Sequence, residues 1–123
     1  MLGIGAATRV FLAAGATDMR KGFDGLFGLV RERLQEDPCS GHVFGFANRE
    51  RTRVKLLYWD GSGLWVCAKR LERGRFRWPE AGQGASRRCS GAELAALLEG
   101  LEVGAVRRRG WYRREAEEKR RGA

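Results

Sequence analysis

The sequence predicts a single α+β domain: an antiparallel β-meander of about five strands, a long N-terminal helix packed on one face, and a shorter C-terminal helix. Three observations carry this. An apolar stripe of helical period lies between Thr17 and Pro38, short runs alternating apolar and basic residues follow between Gly-containing turns, and a capping signature at Ser90 opens a second helical stretch. A chain of 123 residues is long enough for one modest core.

The elements follow in order. Arg9–Ala14 is a short apolar run closed by Gly15, a first strand. Thr17 or Asp18 then offers a side-chain oxygen to the free amides of a helix start. Phe23, Leu26, Phe27, Val30 and Leu34 recur at helical spacing, and Asp37-Pro38 stops the helix, because the residue before proline avoids the α region. In the next strand, Val43–Ala47, Phe44 and Phe46 share a face. Along Arg53–Asp60, Val54, Leu56 and Tyr58 face one way and Arg53, Lys55, Leu57 and Trp59 the other. Asp60-Gly61-Ser62-Gly63 turns the chain into Leu64–Leu71 as a hairpin. Glu72-Arg73-Gly74 turns it again into Arg75–Pro79, where Phe76 and Trp78 alternate with Arg75 and Arg77. Residues 80–88 read as a loop with room for a short edge strand at its end. Ser90 with Glu93 forms a capping box for a helix through Leu94, Leu97 and Leu98 that ends at Gly100. Residues 1–103 are expected to form the domain, and 104–123 a basic flexible tail.

The charge is uneven. The net of +9 arises from 24 basic and 15 acidic residues, of which residues 49–88 hold eleven basic and four acidic ones. Residues 1–48 are neutral, 89–103 carry three acids and no base, and 104–123 hold eight bases against three acids. One basic surface facing a polyanion suits that asymmetry. Twenty of the 24 bases are arginine, a bias that a GC-rich genome also produces without selection for binding. No apolar segment approaches the roughly 18–20 residues that span a bilayer. Cys39, Cys67 and Cys89 are odd in number and widely spaced, which argues against a disulfide framework and for the cytoplasm.

Catalysis finds little support. His42 is the one histidine, so Ser/His or Cys/His machinery has to pass through it. Cys39-x-x-His42 has metal-like spacing but no matching second pair, so a loop thiol beside a surface imidazole is the simpler reading. Asp18, Asp24, Asp37 and Asp60 each have a local structural task, and no phosphate-cradling glycine loop occurs. Nucleic-acid binding is better supported. Arg53, Lys55, Lys69, Arg70, Arg73, Arg75 and Arg77 are placed to neutralise phosphates, and an exposed aromatic among Trp59, Trp65 and Trp78 can stack on a base. Against that stands a solvated basic face over core tryptophans, the favoured reading for Trp78, with Trp59 balanced between the two. The tail, with Trp111 and Tyr112 between arginines, is either an arm that orders on a partner or a solubilising end.

Several motifs, taken in order, resemble a known family. They are Thr17-Asp18-Met19-Arg20-Lys21-Gly22-Phe23-Asp24-Gly25-Leu26, Asp37-Pro38 with Ser40-Gly41, and Lys55 followed by Trp59-Asp60-Gly61. The run from Lys69 to Phe76 with Trp78-Pro79, and the closing Leu97-Leu98-Glu99-Gly100, complete the set. Together they are similar to the small accessory protein (TnpB or Orf2) of insertion-sequence-66 type elements, over about residues 9–101. Cys39 departs from the family, which often has an aromatic there, and the tail is less regular than the family's basic-aromatic ending. The resemblance implies a non-catalytic protein encoded beside a larger transposase and assisting transposition. DNA at the element's ends and that transposase are the expected partners, with no cofactor, small-molecule substrate or membrane. A protein–protein adaptor on the transposase and an RNA-binding module are the alternatives, the latter requiring a solvent-facing Trp59 or Trp65.

Overall fold

The computed structural model describes residues 7–80 and 82–100. They form strands β1 (Val10–Ala13), β2 (Val43–Ala47), β3 (Arg53–Trp59), β4 (Leu64–Arg70) and β5 (Ser86–Cys89), with helices α1 (Phe23–Glu32) and α2 (Gly91–Leu98). The fold is α+β, with one five-stranded sheet in the order β4-β3-β2-β1-β5.

The sheet is mixed, which corrects the expected meander. β1 pairs with β2 in parallel, in register Val10↔Val43 to Leu12↔Gly45, and the other neighbours are antiparallel. The cause is α1. A parallel partner needs a crossover of a dozen or more residues, which the α1 segment supplies between β1 and β2. The expected fifth strand, Arg75–Pro79, is also corrected. That segment is irregular, and the fifth strand is Ser86–Cys89 at the β1 edge. Phe76 is nonetheless buried, and the Trp78 indole donates to the Ala13 carbonyl at 2.9 Å. Residues 76–78 therefore lie over the sheet, and their alternation reflects one side packed on it and one side wet.

α1 is shorter than expected at both ends, beginning beyond Thr17 and Asp18 and ending before Leu34. Its N-cap is Gly22, which has no side chain to cap with, and Asp18 pairs with Arg20 instead of capping the helix. It ends at Glu32, ahead of Asp37-Pro38, and its 10 residues exceed the 8 of α2 by little. The helix crosses the sheet. The Lys55 Nζ of β3 donates to the Lys21 carbonyl just before it, and Arg33 just after it donates to Ala14 beside β1. α2 opens with the predicted capping box: Glu93 N–H donates to Ser90 Oγ, and Ser90 N–H to Glu93 Oε1, both at 3.1 Å.

Period-2 alternation divides the core into two layers. Under α1, Phe11, Ala13, Phe44, Phe46 and Leu57 pack with Leu26, Val30 and Leu34. On the opposite face, Val10, Leu12, Val43, Val54 and Leu56 pack with Phe76, Leu94 and Leu97. Gly45 lies on the second face, where a Cβ would stand 2.8 Å from Leu12 Cδ2 and 3.3 Å from both Leu56 Cδ2 and Trp78 Cη2. Gly45→Ala should therefore overpack this layer and cost about 1–3 kcal/mol, measured as a lower denaturation midpoint with an unchanged slope.

The β3–β4 turn is held by one carboxylate. Asp60 accepts hydrogen bonds from the N–H groups of Ser62 and Gly63 at 2.9 Å, the Ser62 hydroxyl at 3.1 Å and Trp65 Nε1 at 2.8 Å. The Ser62 amide first, then the Trp65 indole, hold its pKa down at about 2. A depressed carboxylate stabilises the fold above the unfolded value of 3.8 and loses that contribution as pH falls through about 2. Asp60→Asn should lower stability at neutral pH, with the gap to wild type closing across that window in acid titrations followed by circular dichroism.

Candidate nucleic-acid interface

The basic residues collect because of sheet topology. β1 and β2 end where β3 begins and β4 ends, as the pairings Ala47↔Val54 and Arg53↔Arg70 require. Three connections meet at that end of the sheet and are tied to one another. Leu71 N–H donates to the Thr52 carbonyl at 2.8 Å, and Phe76 N–H to the Arg51 carbonyl at 2.6 Å. The Arg51 guanidinium donates to Gly15 O at 2.8 Å and lies 5.8 Å from the Trp78 ring centroid. Thr17 N–H donates to Ala47 O at 2.8 Å.

Arg53, Lys55 and Arg70 come together on the α1 side of this end. With Met19, Ala68, Lys69 and Glu72 they line a cleft of about 440 Å³. A second cleft of about 540 Å³ adjoins it through the shared Met19 and Arg53, and its further lining, which includes Thr17, Asp18, Asn48, Arg49 and Glu50, mixes both signs of charge. Met19 thus lines both clefts, and Thr17 and Asp18 line the second. Asp18 holds Arg20 in a two-point ion pair, Nη2 to Oδ2 at 2.7 Å and Nε to Oδ1 at 3.0 Å. The Arg20 guanidinium holds the Asp18 carboxyl well below the usual carboxylate range.

The remaining predicted contacts divide. Lys69 projects to the α2 face, where its Nζ donates to the Leu98 carbonyl at 2.6 Å and satisfies the end of α2. Arg73, Arg75 and Arg77 are exposed on the irregular segment around buried Phe76, at the same end of the sheet as the cleft. Trp78 is partly buried against the core, in line with the favoured reading. Trp59 is half-buried in the strand facing α1, with Gly61 left-handed in the turn beyond it and Pro79 half-buried after Trp78. Trp65 is 47% exposed, so the condition set by the RNA-binding alternative is met by that residue. Trp111 and Tyr112 lie outside the described residues.

Arg49 and Arg51 were not singled out in the sequence, although both belong to this end. The available signal was Asn48. Its side-chain oxygen accepts the amides of Thr52 and Arg53 at 2.9 and 3.1 Å, closing a tight turn that leaves Arg51 left-handed at φ 60°. Burial pushes the Arg51 pKa down. At the far end of the sheet, His42 Nδ1 accepts the Arg9 amide at 3.0 Å. Among the described residues no three His, Cys, Asp or Glu groups converge as a metal site, and no helix is long and apolar enough to cross a membrane.

This end of the sheet is rich in arginine and concave, with Met19 of the Thr17–Gly22 motif in the lining of both clefts. The chain belongs to the IS66 Orf2-like family, whose model, described as IS66 Orf2 like protein, matches residues 8–108. Among similar proteins, "Uncharacterized protein y4hO" of Sinorhizobium fredii is 42% identical over 102 residues, covering 83% of this chain and 88% of its own. "Uncharacterized protein y4jC" of the same organism is 36% identical over 109 residues, covering 89% and 92%. No solved structure matches the chain.

Proposed function

We propose that this protein is a non-catalytic accessory factor of its insertion sequence, assisting DNA transposition by contacting DNA at the arginine-rich end of the sheet. One observation carries the reading. Met19 of the Thr17–Gly22 motif and the basic residues Arg53, Lys55 and Arg70, distant in sequence, line one cleft, and Lys55 Nζ donates to the Lys21 carbonyl of the same motif. Arg73, Arg75 and Arg77 add exposed cations at the same end of the sheet, and phosphate neutralisation by such residues supplies most sequence-independent affinity. The transposase encoded by the same element is the second partner in this reading.

Trp65 favours a rival. It lies at the opposite end of β4 from Arg70, half-exposed and fixed by Asp60, and exposed, oriented tryptophans anchor protein interfaces. In that reading the chain is an adaptor on the transposase without direct DNA contact. The double reversal Arg75→Glu/Arg77→Glu separates the two. Loss of binding to duplexes from the element's ends, with transposase association retained in pull-down, is expected. Retained DNA binding with lost association would favour the adaptor.

A further inference from the structure

Arg53 and Arg70 are directly opposed across β3 and β4, on the face that α1 covers. Like charges opposed on one face of an antiparallel pair destabilise it, since their Cβ atoms stand only about 4.5–5.5 Å apart. Neither charge is well compensated within the chain. The Arg53 guanidinium makes no hydrogen bond or ion pair among the described residues. Among the described residues Arg70 reaches only Glu72, at 3.4 Å, with both side chains mostly in solvent, a pair of little energetic weight. Next along the same face, the Lys55 ammonium spends one of its three donors on the Lys21 carbonyl. Opposite Lys55 is Ala68, whose small side chain leaves the sheet surface open beneath the cleft.

An anion between the two guanidinium groups would turn this repulsion into a pair of forked contacts. The cleft is concave, and at about 440 Å³ it falls in the range of small-ligand pockets, about 300–1,000 Å³. Its apolar members, Met19, Val54 and Ala68, suit a sugar or base edge, and Met19 can adapt its shape. A phosphodiester within a duplex offers two free oxygens and one charge, on a convex backbone. A terminal phosphate monoester offers three oxygens and roughly −1.5 to −2 charge, on a chain end that can enter a recess. Two arginine forks match the second better, because each takes two acceptor positions.

We infer that Arg53 and Arg70 form a clamp for the terminal phosphate of a DNA strand, with Lys55 as the third cation. This rests on the DNA-binding reading and narrows it from the backbone in general to strand ends. Glu72, exposed and 3.4 Å from Arg70, opposes the clamp only weakly.

The test uses the full chain and three oligonucleotides of one sequence, bearing a 5′-phosphate, a 3′-phosphate or hydroxyls at both ends. One phosphorylated end should bind at least ~10-fold tighter than the hydroxyl oligonucleotide, and which end it is identifies the strand terminus recognised. Arg53→Gln and Arg70→Gln should each abolish that preference, and Arg53→Lys should lose most of it, since a lysine keeps the charge but not the fork. Thermal unfolding of the two Gln variants should match wild type or lie slightly above it, since each removes one of the opposed charges at an exposed position, and Arg53→Lys should match wild type. Equal affinity for all three oligonucleotides would overturn the clamp while leaving DNA binding intact. A preference that survives in both Gln variants would place the phosphate elsewhere and overturn it too. No binding to any oligonucleotide or duplex would overturn the clamp together with the reading beneath it.

Discussion

Phe44→Ala is expected to lower stability by about 3–5 kcal/mol, the usual cost of emptying a buried aromatic site. Phe44 is fully buried in β2, the central strand of the sheet. Its ring stacks on Phe11, its register partner in β1, with centroids 5.4 Å apart and planes within 16°. The cavity would open between the parallel pair and α1, where Leu26 and Val30 are both fully buried and are held by the helix backbone. Small domains have only about 5–15 kcal/mol in all, so this one change should leave the protein marginal at physiological temperature. Urea denaturation followed by tryptophan fluorescence would measure it. A loss below about 1 kcal/mol would mean that the layer under α1 is not the close-packed core described here.

Arg53→Glu should have opposite effects on binding and on stability. It places a carboxylate opposite Arg70, where a guanidinium stood, so stability should hold or rise by about 0.2–1 kcal/mol. Binding should suffer, because the cleft loses a cation and gains an anion at its centre. The expected result is at least a ~10-fold loss of affinity for element-end duplexes at low salt, with the slope of log affinity against log salt shallower by about 1. Fluorescence anisotropy and thermal melts on the same preparation give both readings. A variant that melts lower and binds as before would remove Arg53 from the interface.

Much of the local structure was legible in the sequence because short-range chemistry decides it. The Ser90–Glu93 box, the Asp60 turn and the alternation along β3 depend on residues a few positions apart, and each stands as read. The parallel β1–β2 pair was not legible, because the crossover that α1 makes is a long-range choice between sheet edges. The stretch Phe76-Arg77-Trp78 alternates as a strand does, yet its apolar side packs onto the sheet rather than hydrogen-bonding along an edge. At the helix start, Thr17 and Asp18 carry capping oxygens, but Asp18 binds Arg20 and the helix begins beyond both. The candidate site divides in the same way. The faces of Arg53 and Lys55 follow from strand period, whereas the diversion of Lys69 to Leu98 depends on where α2 docks. That Met19 of the Thr17–Gly22 motif lines the basic cleft is a product of topology, and no spacing in the sequence announces it.

The central claim, that the arginine-rich end binds DNA through its phosphates, is tested most directly by one titration. The purified chain is titrated against a duplex carrying the element's terminal inverted repeat and against a scrambled duplex of equal length, each at two salt concentrations. Six or more phosphate contacts predict a loss of about a thousandfold in affinity between about 50 and 200 mM salt. A flat salt response would contradict the account, and the transposase would then be the partner to pursue.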